Sequence, residues 1–205
     1  MRDVLEHFHN LLAPYPNAPM ATFWDEVEAH YTETNRHYHN LTHIDHVLQE
    51  LEEVRRYVQD WDALRFAAVY HDIIYKIPGR NNEKKSALLA TERLGELGLE
   101  LPRAARVHDH IVATKEHRMT ADTDTNLLCD ADLSILGHER ARYAEYMQSI
   151  RREYGNIPDL IYRPGRRKVL RAFLERPVIF NTPVFRRRYE VTARENLEWE
   201  LSLLA

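Results

Sequence analysis

The chain has 205 residues, 44% hydrophobic and 29% charged, which is long and apolar enough to bury a core and excludes a disordered class. One cysteine, Cys129, excludes an internal disulfide framework and a cysteine-rich zinc site, and no apolar run approaches the roughly 20 residues that span a bilayer. The net charge of −4 is unevenly spread: residues 1–100 carry 10 basic against 17 acidic groups, and residues 151–188 carry 11 against 3. That basic stretch reads as an anion-binding face or, more commonly for such runs, as a surface facing the acidic half. Met1-Arg2-Asp3-Val4 leads into an amphipathic pattern with no signal-peptide core, so a cytoplasmic compartment is the expectation.

Every periodic segment reads as helix. Asp3 to Ala13 is a short amphipathic start, closed by Pro14, Pro16 and Pro19. Met20 to Thr34 follows, with Phe23, Trp24, Val27 and Tyr31 on one stripe. Thr42 is the expected N-cap of a helix running to about Trp61, and Asp62 of one running to about Tyr75. Ile77 to Asn81 breaks the chain, Asn82 to Leu97 resumes as helix until Gly98, and Pro102 opens another to about Lys115. Asn126 to Leu136, ended by Gly137, is a short apolar helix; His138 to Tyr154, Gly165 to Glu175 and Pro183 to Leu204 complete the set. No stretch alternates with period two for long enough to form a strand, and no repeat or linker divides the chain. The expectation is one compact all-α domain over 1–205, with roughly nine to ten helices.

Histidine is the unusual residue, with 12 in the chain and four between His37 and His46. The helix after Thr42 has its apolar stripe at Ile44, Val47, Leu48, Leu51, Val54 and Val58. His43, one turn before Val47, is expected to point inward; His46, one turn before Glu50, is expected to face solvent. Between Phe66 and Tyr75 the only strongly polar side chains are His71 and Asp72. A buried carboxylate costs several kcal/mol unless a cation compensates it, so this pair is either a buried ion pair or part of a metal site. Two acids interrupt the apolar segment Leu127 to Gly137. Asp132 has Leu128, Ile135 and Leu136 as turn neighbours and is expected to be the buried one; Asp130, beside Asn126 and Ser134, is expected nearer a rim. His43, His71, Asp72 and Asp132 make a mixed N/O set that suits an octahedral divalent ion (Mn, Fe, Co, Ni or Mg) better than structural zinc.

The order His…His-Asp…Asp on a helical chain resembles the HD superfamily of metal-dependent phosphohydrolases. Arg36-x-Tyr38-His39-Asn40-x-x-His43, His71-Asp72-x-x-Tyr75, Asn82-Glu83-x-x-Ser86-Ala87 and Asp130-Ala131-Asp132-Leu133 are similar to the motifs of a small family of predicted HD phosphohydrolases of similar length. The resemblance continues through Ile150-Arg151-x-Glu153-Tyr154 and Ala193-Arg194-x-Asn196-Leu197. It implies an HD-type helical fold and a divalent ion held by His43, His71, Asp72 and the acid of Ala131-Asp132-Leu133. Relatives with dinuclear sites place further histidines between the His-Asp pair and the last Asp, where this chain has His108, His110 and His117. Their uneven spacing leaves one ion as the expectation.

The expected function is hydrolysis of a nucleotide or other small phosphoester by a metal-activated water. Asp72 is the carboxylate placed to orient or deprotonate that water. Glu83, with Asn82, reads either as a contact to water or substrate, or as a helix start in which Asn81 or Asn82 caps and Glu83 meets the dipole. Arg36, Lys76, Arg80 and His117 are candidates for binding the phosphate. His39 is expected to orient the loop entering His43, and Tyr143, Tyr146, Trp199 and Leu203 to join the core. The expected partner is a small phosphorylated substrate, not a membrane or a nucleic acid. Two other classes share the ligands: an HD-fold diiron oxygenase, which needs more of them, and a catalytically silent nucleotide- or nucleic-acid-binding module using the basic 151–188 stretch.

Overall fold

The computed structural model describes residues 2–15 and 19–204; Pro16, read above as part of a helix break, lies outside the described residues. Among the described residues there is no strand, and ten α-helices form the fold. They are α1 (Arg2–Leu12), α2 (Met20–Tyr31), α3 (Leu41–Glu53), α4 (Trp61–Tyr70), α5 (Asn82–Glu96), α6 (Leu101–Ala113), α7 (Thr123–Leu133), α8 (Arg140–Glu153), α9 (Asp159–Leu174) and α10 (Pro183–Leu203). Short 3-10 turns at Arg55–Tyr57 and Ser134–Gly137 follow α3 and α7.

The core gathers around α3 and α4. The expected α3 stripe of Ile44, Val47, Leu48 and Leu51 is buried, as are Leu64, Ala67, Ala68 and Val69 of α4. Helices α1, α4 and α7 pack on α3, α6 lies against α4 and α5, and α10 covers the Ser134–Gly137 turn with α9 alongside. Among the described residues no helix is long and apolar enough to cross a membrane.

Local hydrogen bonding moves several boundaries. Asn40, not Thr42, caps α3: from an extended backbone its Oδ1 accepts the N–H of Thr42 at 2.9 Å and of His43 at 3.4 Å. Asp60, not Asp62, caps α4 through the N–H of Ala63. Helix α4 stops at Tyr70, about a turn early: the N–H of Ile74, which would continue the helix by bonding the Tyr70 carbonyl, donates instead to Ser86 Oγ at 3.0 Å, and the Arg36 guanidinium holds the turn beyond through the carbonyls of Asp72 and Ile73 at 2.6 and 2.7 Å. His71 is therefore the C-cap, and Asp72 lies in the turn beyond it. Neighbours on a regular helix diverge by about 100°; leaving the helix lets these two face one point. Helix α9 begins at Asp159 and continues through Pro164 and Gly165. The proline deprives only the carbonyl of Leu160, an exposed residue, where water can replace the lost donor.

Three burial expectations are corrected. His46 is buried, because the Ser134–Gly137 turn and α8 cover the face of α3 that the local sequence leaves open: Ser134 Oγ lies 2.8 Å from its Nε2 and Arg142 donates to its Nδ1 at 3.0 Å. Asp130 is fully buried whereas Asp132 is partly exposed. Asp130 survives there because the N–H groups of Asn181 and Thr182 and the Thr182 hydroxyl all donate to it, at 2.6, 2.7 and 2.6 Å. Leu203 is half exposed at the end of α10 rather than in the core.

Much of the basic stretch is used internally. Arg151 pairs with Asp159, Arg166 with Glu200, and Arg188 with Glu53, while Arg176 donates to the carbonyls of Glu116 and His117.

Candidate metal centre

Four side chains converge where α3, the end of α4 and α7 meet. His43 Nε2 lies 3.2 Å from His71 Nε2. Asp132 Oδ1 lies 3.2 Å from His43 Nε2 and 3.6 Å from His71 Nε2, and Asp72 Oδ2 approaches the same nitrogens at 3.7 and 3.2 Å. Both histidines are nearly inaccessible, at 3% and 1% exposure, and sit behind the two carboxylates.

The donor set fits a divalent ion. Ligands at about 2.1 Å from one ion stand roughly 3.0–3.4 Å apart, close to the spacings seen. His71 Nδ1 lies 2.8 Å from the carbonyl of Ala68, which can only accept, so Nδ1 carries a proton and a neutral ring has its lone pair on Nε2. Every side-chain partner of Asp72 and Asp132 is an imidazole; no lysine or arginine among the described residues neutralises them. His43 Nδ1, buried, has no hydrogen-bond partner.

Charge is concentrated accordingly. Burial opposes ionisation of His71, but the Asp72 and Asp132 carboxylates outweigh it and hold its pKa well above the ordinary value. At His43 burial prevails and lowers the pKa. Burial also opposes both carboxylates, yet His71, joined by His117 and His43 at Asp132, keeps them below the usual carboxylate range.

Two residues frame this cluster that sequence reasoning left without a firm role. Glu153, at the end of α8, accepts the N–H groups of His37, Tyr38 and His39 at 2.9, 2.7 and 2.9 Å. Its other oxygen meets His39 Nδ1 at 2.7 Å and accepts the Tyr75 hydroxyl at 2.9 Å. One carboxylate thus shapes the loop that delivers His43, and it aims His39 so that Nε2 stands 3.9 Å from Asp72. The available signal was a carboxylate following Ile150 by one turn, on the buried face of α8. His117 Nε2 lies 2.7 Å from Asp132 Oδ2. Its φ of 50° is uncommon for a histidine, and Arg176 and Asn181 hold its carbonyl in place.

Asp72, Asp132, His39 and His117 open onto a cavity of about 680 Å³. Lys76, Glu83, Asn82 and Lys115 line it near the loop after Asp72, as expected for the first two. That loop is tight: a Cβ on Gly79 would run into the carbonyl of Lys76, to which the Asn82 amide donates at 3.1 Å. Asn81 precedes α5 in a left-handed conformation without a side-chain cap, so neither asparagine caps as expected. The opposite wall is aromatic and aliphatic, with Tyr146, Tyr154, Tyr162, Ile157 and Ile161; Arg166 there is neutralised by Glu200 at 2.7 and 2.9 Å. Tyr146, expected in the core, packs against it and also lines this wall.

Two expected phosphate binders are not in the cavity. Arg36 is buried, its guanidinium consumed by the carbonyls of His39, Asp72 and Ile73 and by Glu33. It is a clamp on the chain beyond α4. Arg80 is exposed and does not line the cavity.

The chain matches no family model, no curated protein and no solved structure.

Proposed function

We propose that the protein is a metal-dependent phosphohydrolase acting on a nucleotide or another small phosphoester. What carries this reading is the convergence of two imidazoles and two carboxylates, with separations of 3.2–3.7 Å, behind a cavity rimmed by Lys76 and Lys115. The order His43, His71-Asp72, Asp132 along the chain, which resembles that of HD phosphohydrolases, supports it further. A divalent ion held by these four residues would supply Lewis acidity toward a phosphoryl oxygen and lower the pKa of water.

The chain's own residues do the rest. Asp72 faces the cavity and orients the attacking water, while His117 holds Asp132 in register. Lys76 and Lys115 present ammonium groups to the phosphate, and Glu83 on the same side accepts a hydrogen bond from water or a substrate hydroxyl. The tyrosines and isoleucines opposite exclude water and receive a flat, uncharged group such as a nucleobase.

The test is phosphate or pyrophosphate release. Protein stripped with a chelator and reloaded with Mn²⁺ or Co²⁺ is expected to turn over at least one nucleotide or small phosphoester from a broad panel, and chelator is expected to stop it. Absence of turnover with a demonstrably bound ion would overturn the reading.

A further inference from the structure

One turn beyond His43 on α3, a second set of metal-binding side chains meets outside the centre just described. His46, Glu50 and His138 each offer a donor atom within 4.8 Å of the others. His46 and Glu50 are four residues apart and so share a face of α3, and His138 arrives directly after the Ser134–Gly137 turn.

The hydrogen bonding prepares these groups as ligands. The Ser134 hydroxyl donates to the carbonyl of Ala131 at 2.7 Å, so at its 2.8 Å contact with His46 it accepts. His46 Nε2 therefore carries the proton, and the lone pair is on Nδ1. An imidazole whose far nitrogen donates to an oxygen is oriented as metal-bound histidines are, and His71 uses Ala68 in the same way. Burial, reinforced by Arg142, holds the His46 pKa down to about 3, so the ring is neutral. Glu50 is 6% exposed; its Oε1 accepts the Tyr189 hydroxyl at 2.7 Å, while buried Oε2 has no hydrogen bond among the described residues and forms an ion pair with Arg188 at 3.4 Å. Arg142 donates to His138 Nδ1 at 3.4 Å, so in the neutral ring the lone pair is on Nδ1 and the proton on Nε2, which is buried 3.7 Å from Glu50 Oε1.

A cation already stands at this point. The exposed side chain of Arg142 reaches in from α8, placing NH2 3.0 Å from His46 Nδ1 and NH1 3.4 Å from His138 Nδ1. A long surface side chain can swing away at little cost.

We propose that His46, Glu50 and His138 form a second, separate metal site for a borderline divalent ion such as Zn²⁺ or Co²⁺, which Arg142 covers in the metal-free chain and vacates on binding. Two imidazoles and one carboxylate favour these ions over Mg²⁺, and the departure of Arg142 opens a fourth position to water. Arg188 remains close, so the site is weaker than one without a neighbouring cation.

The test is equilibrium dialysis of the chelator-stripped full chain against Co²⁺. Wild type is expected to bind two ions per chain. Asp132→Ala is expected to lose the first and keep the second, and His138→Ala to lose the second and keep the first. Arg142 is exposed, and Arg142→Ala is expected to tighten the ion that survives Asp132→Ala by about tenfold, as removal of a like charge should. Stoichiometry unchanged by His138→Ala, or affinity unchanged by Arg142→Ala, would overturn the second site. A missing Asp132-dependent ion would instead count against the first centre.

Discussion

Asp130 and Asp132, two residues apart on α7, hold different parts of the molecule. Asp130 accepts three hydrogen bonds from Asn181 and Thr182 and so fastens the start of α10, whose N-cap has no side-chain bond of its own. Asp132 meets His117 at 2.7 Å and His43 at 3.2 Å. Asp130→Ala strands buried donors and is expected to cost about 3 kcal/mol in urea denaturation while leaving the first ion bound. Asp132→Asn is expected to lose that ion by metal analysis with a smaller change in the metal-free melt.

Replacing Glu153 is expected to loosen the His37–His39 loop. Burial opposes its charge, but His39 and the backbone N–H groups outweigh it and hold its pKa at about 2, against 4.5 for an ordinary glutamate. A depressed carboxylate stabilises the fold fully above the unfolded value and loses that contribution as pH falls through the folded one. The stability advantage of wild type over Glu153→Gln should therefore be complete above about pH 4.5, at about 3 kcal/mol, and shrink steadily toward pH 2. Urea midpoints across this range check it; an advantage that grows in acid would contradict the assigned role.

For the centre itself, Asp72→Asn preserves shape and removes charge. Wild-type stability is expected to rise with added Mn²⁺, by about 2.7 kcal/mol at a hundredfold excess over Kd. The variant's melting temperature should hardly respond, and hydrolysis should be lost. Equal metal-induced shifts in thermal melts of the two proteins would leave Asp72 a structural residue.

Arg36→Lys separates a clamp from a phosphate binder. A lysine cannot span the carbonyls of His39, Asp72 and Ile73 with one planar fork, so the metal-free protein is expected to lose about 2 kcal/mol. Differential scanning calorimetry without substrate reads this directly. A residue used only to bind phosphate would leave that melt unchanged.

Helix content and the inward turn of His43 were legible because they depend on periodicity within α3. Asp72 and Asp132 were legible as acids in apolar company. The burial of His46 was not, since its cover comes from Ser134 and Arg142, far along the chain. Asp130 looked closer to a rim for the same reason: its neighbours on α7 are partly polar, but its partners are on the segment entering α10. Arg36 read as a phosphate binder because sequence shows its charge and not the carbonyls waiting for it. The helix read from Gly165 in fact begins at Asp159, because a proline's effect depends on whether water can reach the carbonyl it deprives.

The attachment of the His37–His39 loop to Glu153 has a consequence for the order of events as the chain is made. All four candidate ligands have been synthesised once Asp132 is added, yet the loop that delivers His43 waits for a carboxylate 114 residues beyond His39. A nascent chain that stops after α7 owns every ligand and lacks the carboxylate that shapes the approach to His43. Closing so long a loop carries an entropic cost, so capture of an ion in its final geometry is expected only once α8 has docked against the His37–His39 loop.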